Sequence, residues 1–277
     1  MAATGEVHNN LRIENEKVTG PVALQLIQKS GIVHSSSDEL VVLDNACGGG
    51  IVTRELFNLV QNDKQIKRIV TGDLDDRMLA YVKQLSAESG WQQVETKQFD
   101  QASAPFDEAT FTHVFSNFGI FFSPKDAEVL AETYRILQSG GIAGFASWKA
   151  ITWWQEIALP ALNKYVPGTP ELPNPANIFP SPGWTDPEKV RSKLESAGFK
   201  DVQVDEYSFT PDVEPEGFSA ACAFLVRGLA ARLWSKEDNE KFADQIQPAM
   251  LRYLKENYAD GKWTGKMTAI ISLGKKS

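Results

Sequence analysis

From about residue 11 to residue 144, short apolar runs rich in branched and aromatic side chains alternate with longer stretches of helical period. The runs Leu40 to Asn45, Arg68 to Thr71, Val94 to Phe99, Phe111 to Phe115 and Ile142 to Ser147 read as strands. The stretches Pro21 to Lys29, Ile51 to Gln61, Asp76 to Ser89 and Lys125 to Leu137 read as helices. Strictly alternating strands and helices are the pattern of βαβ units, and so of a parallel sheet covered on both faces. Ser139-Gly140-Gly141 is expected to stop the last helix and turn the chain into a strand, since glycine follows helices without strain.

The pattern changes after Trp148. Seven of the fourteen prolines fall between Pro167 and Pro187, which excludes a long helix or a central strand there and predicts an ordered, meandering insert. Asp186-Pro187-Glu188 then supplies an N-cap, a proline at the first helical position and an acid in the first turn, and Gly198 ends that helix before a strand from Val202 to Phe209. Helical segments follow at Glu216 to Trp234 and Lys236 to Tyr258, the latter spaced on Phe242, Ile246, Leu251 and Leu254. Met267 to Leu273 closes the chain as a strand. The expected organisation is one domain over residues 1–277. Its core spans 20–148 and is completed by 185–210 and 264–277, with cap segments at 149–184 and 215–258.

Composition narrows the class. A chain of 277 residues that is 42% hydrophobic can bury a large core. A net charge of -8 gives no electrostatic reason to expect nucleic acid. The two cysteines, Cys47 and Cys222, are too few and too distant for a disulfide scaffold, and with no partner cluster of His or Cys they suggest no metal site. No stretch approaches the roughly 20 apolar residues of a membrane span, and no leader is recognisable, so a cytoplasmic protein is expected.

Strand one ends in Asp44 and runs through Asn45-Ala46-Cys47-Gly48-Gly49-Gly50 into a helix. Glycines allow a tight turn and close approach of a ligand, and the free N–H groups at a helix start favour an anionic group. Alone this is a weak signal, compatible with a turn that binds nothing. Asp73, about 23 residues further on at the end of strand two, stands where a carboxylate in doubly wound folds accepts from ribose hydroxyls. The dinucleotide fingerprint would also require glycine or alanine at Thr53, and the sequence has neither.

The run Asp44-x-Ala46-Cys47-Gly48-x-Gly50 resembles motif I of class I S-adenosylmethionine (SAM)-dependent methyltransferases. That family has a Rossmann-like, seven-stranded, mostly parallel sheet whose last strand is antiparallel, here with a helical cap. The resemblance implies that Asp44 and the glycine backbone hold the amino-acid portion of SAM. Thr71-Gly72-Asp73-Leu74 resembles the ribose motif, with Met78 placed to pack on adenine. Phe99-Asp100 resembles the strand-three end that contacts the adenine amino group, and Val114-Phe115-Ser116-Asn117-Phe118-Gly119 resembles motif IV. Leu43-Asp44-Asn45-Ala46-Cys47-Gly48, Thr112-His113-Val114-Phe115 and Gly183-Trp184 are similar to fungal natural-product methyltransferases, gliotoxin bis-thiomethyltransferase among them. Gly49-Gly50-Ile51 and the proline-rich insert depart from that narrower pattern. SAM as cofactor, with S-adenosylhomocysteine as product, is what the resemblance implies.

The sulfonium of SAM is already activated, so alignment and exclusion of water are the main demands on the protein. Phe118, Phe121 and Phe122 after strand four, Trp148, Trp153 and Trp154 after strand five, and Trp184 are candidates to line a pocket for a small hydrophobic acceptor. Core packing is the competing role for each ring. No convincing general base stands out. His113 lies inside a strand and reads as core, while His8 and His34 fall in tail and loop. That scarcity suits an acceptor that ionises readily, a thiol or phenol, or a neutral amine. Cys47 reads as a packing residue rather than a nucleophile. Two rival readings stay open: a cyclase or pericyclase on the same scaffold, and a non-catalytic SAM-binding subunit. The oligomeric state is not readable.

Overall fold

A computed structural model describes residues 2–34, 39–60 and 65–277, with side chains from Glu14 onward. The elements run α1 (Ala2–Lys29), β1 (Leu40–Asn45), α2 (Ile51–Leu59), β2 (Ile66–Asp73), α3 (Asp76–Ser89), β3 (Val94–Gln98), β4 (Phe111–Asn117), α4 (Asp126–Ile136), β5 (Leu137–Ala150), α5 (Leu159–Tyr165), α6 (Pro187–Ser196), β6 (Lys200–Phe209), α7 (Pro215–Leu233), α8 (Lys236–Phe242), α9 (Ile246–Asn257) and β7 (Met267–Lys275).

The seven strands form one sheet in the order β3-β2-β1-β4-β5-β7-β6. β1 pairs in parallel with β2 and β4, β2 with β3, and β4 with β5. β7 runs the other way beside β5. Gly140 N–H donates to the Lys276 carbonyl (2.8 Å) and Lys276 N–H to the Gly141 carbonyl (2.9 Å), while further along Ser272 donates to the Phe145 carbonyl. This is the mostly parallel, Rossmann-like sheet of class I methyltransferases. Strand burial follows sheet position. β1, β4 and β7 are buried almost continuously, as expected for strands covered on both faces, whereas the edge strands β3 and β6 are largely exposed.

The chain divides into two compact units. One holds Thr19–Lys149, Phe179–Tyr207 and Ala269–Ser277, and thus nearly all of the sheet with α2, α3, α4 and α6. In it Val22, Ala23, Leu26 and Ile27 of α1, Leu43 of β1, Val114 of β4 and Phe145 of β5 are fully buried. The other holds the described residues up to Val18, Ala150–Ile178 and Ser208–Thr268, a helical unit of α5, α7, α8 and α9. There the Glu14 carboxylate accepts from Lys17 Nζ (2.7 Å) and from Glu214 N–H (3.3 Å), just before α7.

Several elements depart from the sequence reading. The first helix starts at Ala2, not Pro21, and carries Pro21 internally; His8 lies in it, with its side chain outside the described residues, and His34 ends a short 3-10 turn. The end of the second helix at Gln61 also lies outside them. The Ser139-Gly140-Gly141 turn lies within β5: pairing jumps from Phe111↔Leu137 to His113↔Ile142, and Gly140 at φ +79° absorbs the bulge. The helix expected over Lys236 to Tyr258 is two, α8 and α9, joined by a 3-10 turn at Ala243–Gln245. Pro248 has no N–H to return to the Asp244 carbonyl, so a continuous helix would lose that bond. The proline-rich stretch carries a 3-10 turn at Pro175–Asn177. Asp186 caps α6 through Glu188 N–H (3.1 Å), with Pro187 in its first turn.

Trp184 is buried inside the sheet unit. Its indole N–H donates to Asp126 Oδ2 (2.8 Å), which also accepts from Lys193 Nζ (2.6 Å), and Ser147 donates to the Trp184 carbonyl (2.6 Å). Burial alone would push the Asp126 carboxyl up, but the bonds from Lys193 and Trp184 hold it below the usual range. Asp126→Ala strands a buried indole N–H and a half-buried ammonium, and should destabilise the fold by about 1–3 kcal/mol, with Asp126→Asn, which still accepts a bond, losing less. Thermal melts of the two variants check the order.

Candidate functional site

The carboxyl ends of β1 and β2 build the site. In register, Asp44 lies beside Thr71 and Asn45 beside Gly72. The turn after β1 is fixed to β2 from two sides. Cys47 N–H donates to the Gly72 carbonyl (2.9 Å), and Gly48 N–H donates to Asp73 Oδ2 (2.9 Å). Ala46, Gly48 and Gly50 have φ of +55°, +50° and +75°, so the turn depends on left-handed backbone, which a side chain at Gly50 would strain most, meeting Val82 as well. Gly72 is required for another reason: a Cβ there would lie 2.1 Å from the Phe99 ring.

Asp44 is 1% exposed. Its Oδ2 accepts both from Thr53 N–H (3.1 Å) and from Thr53 Oγ1 (2.8 Å). Gly50, the residue preceding α2, offers no side-chain cap, so β1 supplies the acceptor that the first turn of α2 otherwise lacks. Burial pushes the Asp44 carboxyl up to about 7, against the lowering effect of both Thr53 bonds and with a further push from Asp73. Sequence reasoning treated Thr53 only as a missing glycine. Its pairing with Asp44 is the feature it overlooked, and the signal was a hydroxyl at the third position of a helix that has no capping side chain.

Asp73 is fixed by main chain on both oxygens, since Asp75 N–H donates to Oδ1 (3.0 Å). Each carboxylate oxygen accepts more than one bond, so both keep capacity for hydroxyl donors. Asp75 caps α3 by accepting from Arg77 N–H. Leu74 and Met78, beside this acid, are 65% and 39% exposed. Phe99 is buried against Gly72, and Asp100 is exposed, accepting from Ala102 N–H (2.9 Å). Asn117 Nδ2 donates to the Thr19 carbonyl (3.3 Å). Around the end of β4, Gln101 Oε1, Ser116 Oγ and Asn117 Oδ1 are buried with no hydrogen-bond partner among the described residues. Exposed apolar side chains next to ribose-type acceptors, together with orphaned polar atoms, fit a nucleoside that brings an apolar ring and its own hydrogen-bonding groups.

Cys47 is buried with Leu79 and Val82. Burial, helped by Asp44 and Asp73, pushes its thiol well above the usual range, which leaves it a protonated packing group. Cys222 is buried likewise. Burial holds His113 down at about 4, and its Nδ1 lies 3.1 Å from Thr112 Oγ1 within β4. It is neutral at ordinary pH and set in the strand.

The aromatic candidates separate. Phe118 and Trp148 stack at 4.0 Å between centroids at the ends of β4 and β5. Phe121 is buried and Phe122 is 56% exposed, both against Phe179. Trp153 and Trp154 are buried in the helical unit, edge to face at 5.9 Å, where a π-helical turn spans Trp154–Ala158. Glu156 of that turn accepts from Trp263 Nε1 (2.8 Å). Trp184, with its only donor given to Asp126, is a structural ring of the sheet unit. Among the described residues, no cluster of three or more His, Cys, Asp or Glu could hold a metal ion, and no helix is long and apolar enough to cross a membrane.

This sheet order, with a glycine turn after β1 and an acid at the end of β2, defines the class I methyltransferase scaffold. The family described as a methyltransferase domain matches residues 43–145, from β1 through β5. The chain is 30% identical over 264 residues to methyltransferase tpcH of Aspergillus fumigatus, covering 94% of this chain and 93% of that one. It is 31% identical over 248 residues to acetylaranotin bis-thiomethyltransferase of Aspergillus terreus, covering 88% and 84%. The chain therefore belongs to the methyltransferase family. Among solved structures, the cyclase SpnF superposes with a TM-score of 0.56 at 16% identity, covering 93% of this chain and 80% of that one, a likeness of fold alone.

A buried acid whose carboxyl is raised withdraws stability as it ionises. Asp44 contributes least cost below its unfolded value of 3.8, and the cost grows as pH rises through its folded value of about 7. Asp44→Asn keeps an acceptor for Thr53 without the charge. Its stability relative to wild type should therefore rise between about pH 5 and about pH 8. Urea unfolding at both pH values checks this, and an unchanged difference would remove the buried charge from the account.

Proposed function

We propose that the protein transfers the methyl group of SAM to a small hydrophobic metabolite of fungal secondary metabolism, with a thiol sulfur as the favoured acceptor atom. The observation that carries the donor assignment is the cradle itself: Asp73 holding Gly48 N–H across the β1 turn, beside exposed Leu74 and Met78 and three orphaned polar atoms. Asp73 would accept from the ribose hydroxyls, Leu74 and Met78 would cover adenine, and Asp44 with the N–H groups of the turn would hold the amino-acid end. Asn117, Phe99 and Asp100 complete the surround.

SAM held there would supply an electrophilic methyl on a sulfonium for the acceptor's lone pair, with S-adenosylhomocysteine as the other product. The protein's part is positioning and exclusion of water. The stacked Phe118 and Trp148 rings give an apolar wall that offers no competing nucleophile. His113, buried inside β4 and at about 4 too weakly basic, and a protonated Cys47 leave neither as the proton acceptor. A thiol loses its proton to solvent near neutral pH and needs no such group, which supports sulfur over an alcohol. The acetylaranotin bis-thiomethyltransferase likeness supports it further.

Incubation with methyl-labelled SAM and a panel of small apolar thiols, phenols and amines tests this. Label should enter the thiols, with one S-adenosylhomocysteine released per methyl. Asp73→Asn should weaken SAM binding by about tenfold, the loss of one charge-assisted bond. Product formed without label would support a cyclase on this scaffold and overturn the reading.

A further inference from the structure

Three features converge on one side chain that the donor site does not touch directly. Thr53 is fully buried, lies in the first turn of α2, and gives both its N–H and its hydroxyl to the same oxygen of Asp44. Oδ1 of Asp44 takes neither bond. A carboxylate held by two donors on one oxygen cannot rotate without losing both, so its second oxygen has a fixed direction. The start of α2 adds its own favourable field to the negative charge.

We propose that Thr53 is a positioning residue for the methyl donor: by holding Oδ2 of Asp44 it keeps Oδ1 directed and ionised to accept the ammonium of the donor's amino-acid portion. This rests on the donor-site reading above. It gives the threonine at the place of the absent third glycine a task of its own. A glycine or alanine there would leave Asp44 a single N–H.

The titratable groups that act on Asp44 are Asp73 from the end of β2, which opposes its ionisation, and Cys47 from the turn, which itself feels both acids. From α2, Thr53 acts on it and favours the ionised form. Removing the hydroxyl therefore leaves burial and Asp73 less opposed, and the charged form needs a higher pH. A hydrogen bond to a charged group corresponds to a shift of about one pH unit.

The test is calorimetric titration of wild type, Thr53→Val and Thr53→Ser with S-adenosylhomocysteine, which carries the same amino-acid portion and cannot react, across about pH 5.5 to about pH 9. Affinity should fall on the acid side in all three. The midpoint of that fall should lie about one pH unit higher in Thr53→Val and return to the wild-type value in Thr53→Ser. Titration of the ligand itself is common to all three and cancels in the comparison. A Thr53→Val midpoint equal to wild type, or a Thr53→Ser midpoint moved as far as Val, would overturn the positioning role. Absence of binding to wild type at every pH would instead overturn the donor site on which it rests.

Discussion

A single buried carboxylate organises the binding end of this sheet. Asp44 sits at the end of β1, in the interior of the sheet and out of water. Isolated charges are not tolerated in a protein interior unless hydrogen bonds replace the lost hydration. Here the first turn of α2 provides them through Thr53. The same bonds supply the acceptor that α2 lacks at its glycine cap, so strand, turn and helix are tied into one rigid corner.

Asp73 completes that corner from the neighbouring strand. Its bond to Gly48 N–H spans the turn, and the Cys47 N–H to Gly72 carbonyl bond runs alongside. The packing beneath is equally constrained, because Phe99 occupies the space that any side chain at Gly72 would need. Asp73 adds to what burial does to Asp44 and opposes its ionisation, an arrangement that costs stability. Such local cost is commonly found where a ligand bearing the opposite charge is received. The ammonium of a bound amino-acid portion is such a ligand.

Much of this was legible in the sequence. Branched runs predict β1, β3, β4 and β7 nearly to the residue, and the cap signal at Asp186 is used as read. What escaped was non-local. Periodicity cannot show that Gly140 makes a bulge inside β5 rather than a turn before it, because that depends on the pairing with β4 set by the tertiary fold. The Asp44–Thr53 pair is similar. Nine positions apart, the two meet only because the glycine turn folds α2 back onto its own strand. Trp184 looked like a pocket ring, and only the structure shows Asp126 taking its single donor.

The most direct measurement is a crystal structure of the protein with S-adenosylhomocysteine. The account predicts ribose hydroxyls within hydrogen-bond distance of Asp73, the adenine between Leu74 and Met78, and the ammonium on Asp44 Oδ1 with the Thr53 bonds intact. Ligand density away from the ends of β1 and β2, or an amino-acid end that leaves Asp44 without a partner, would contradict it.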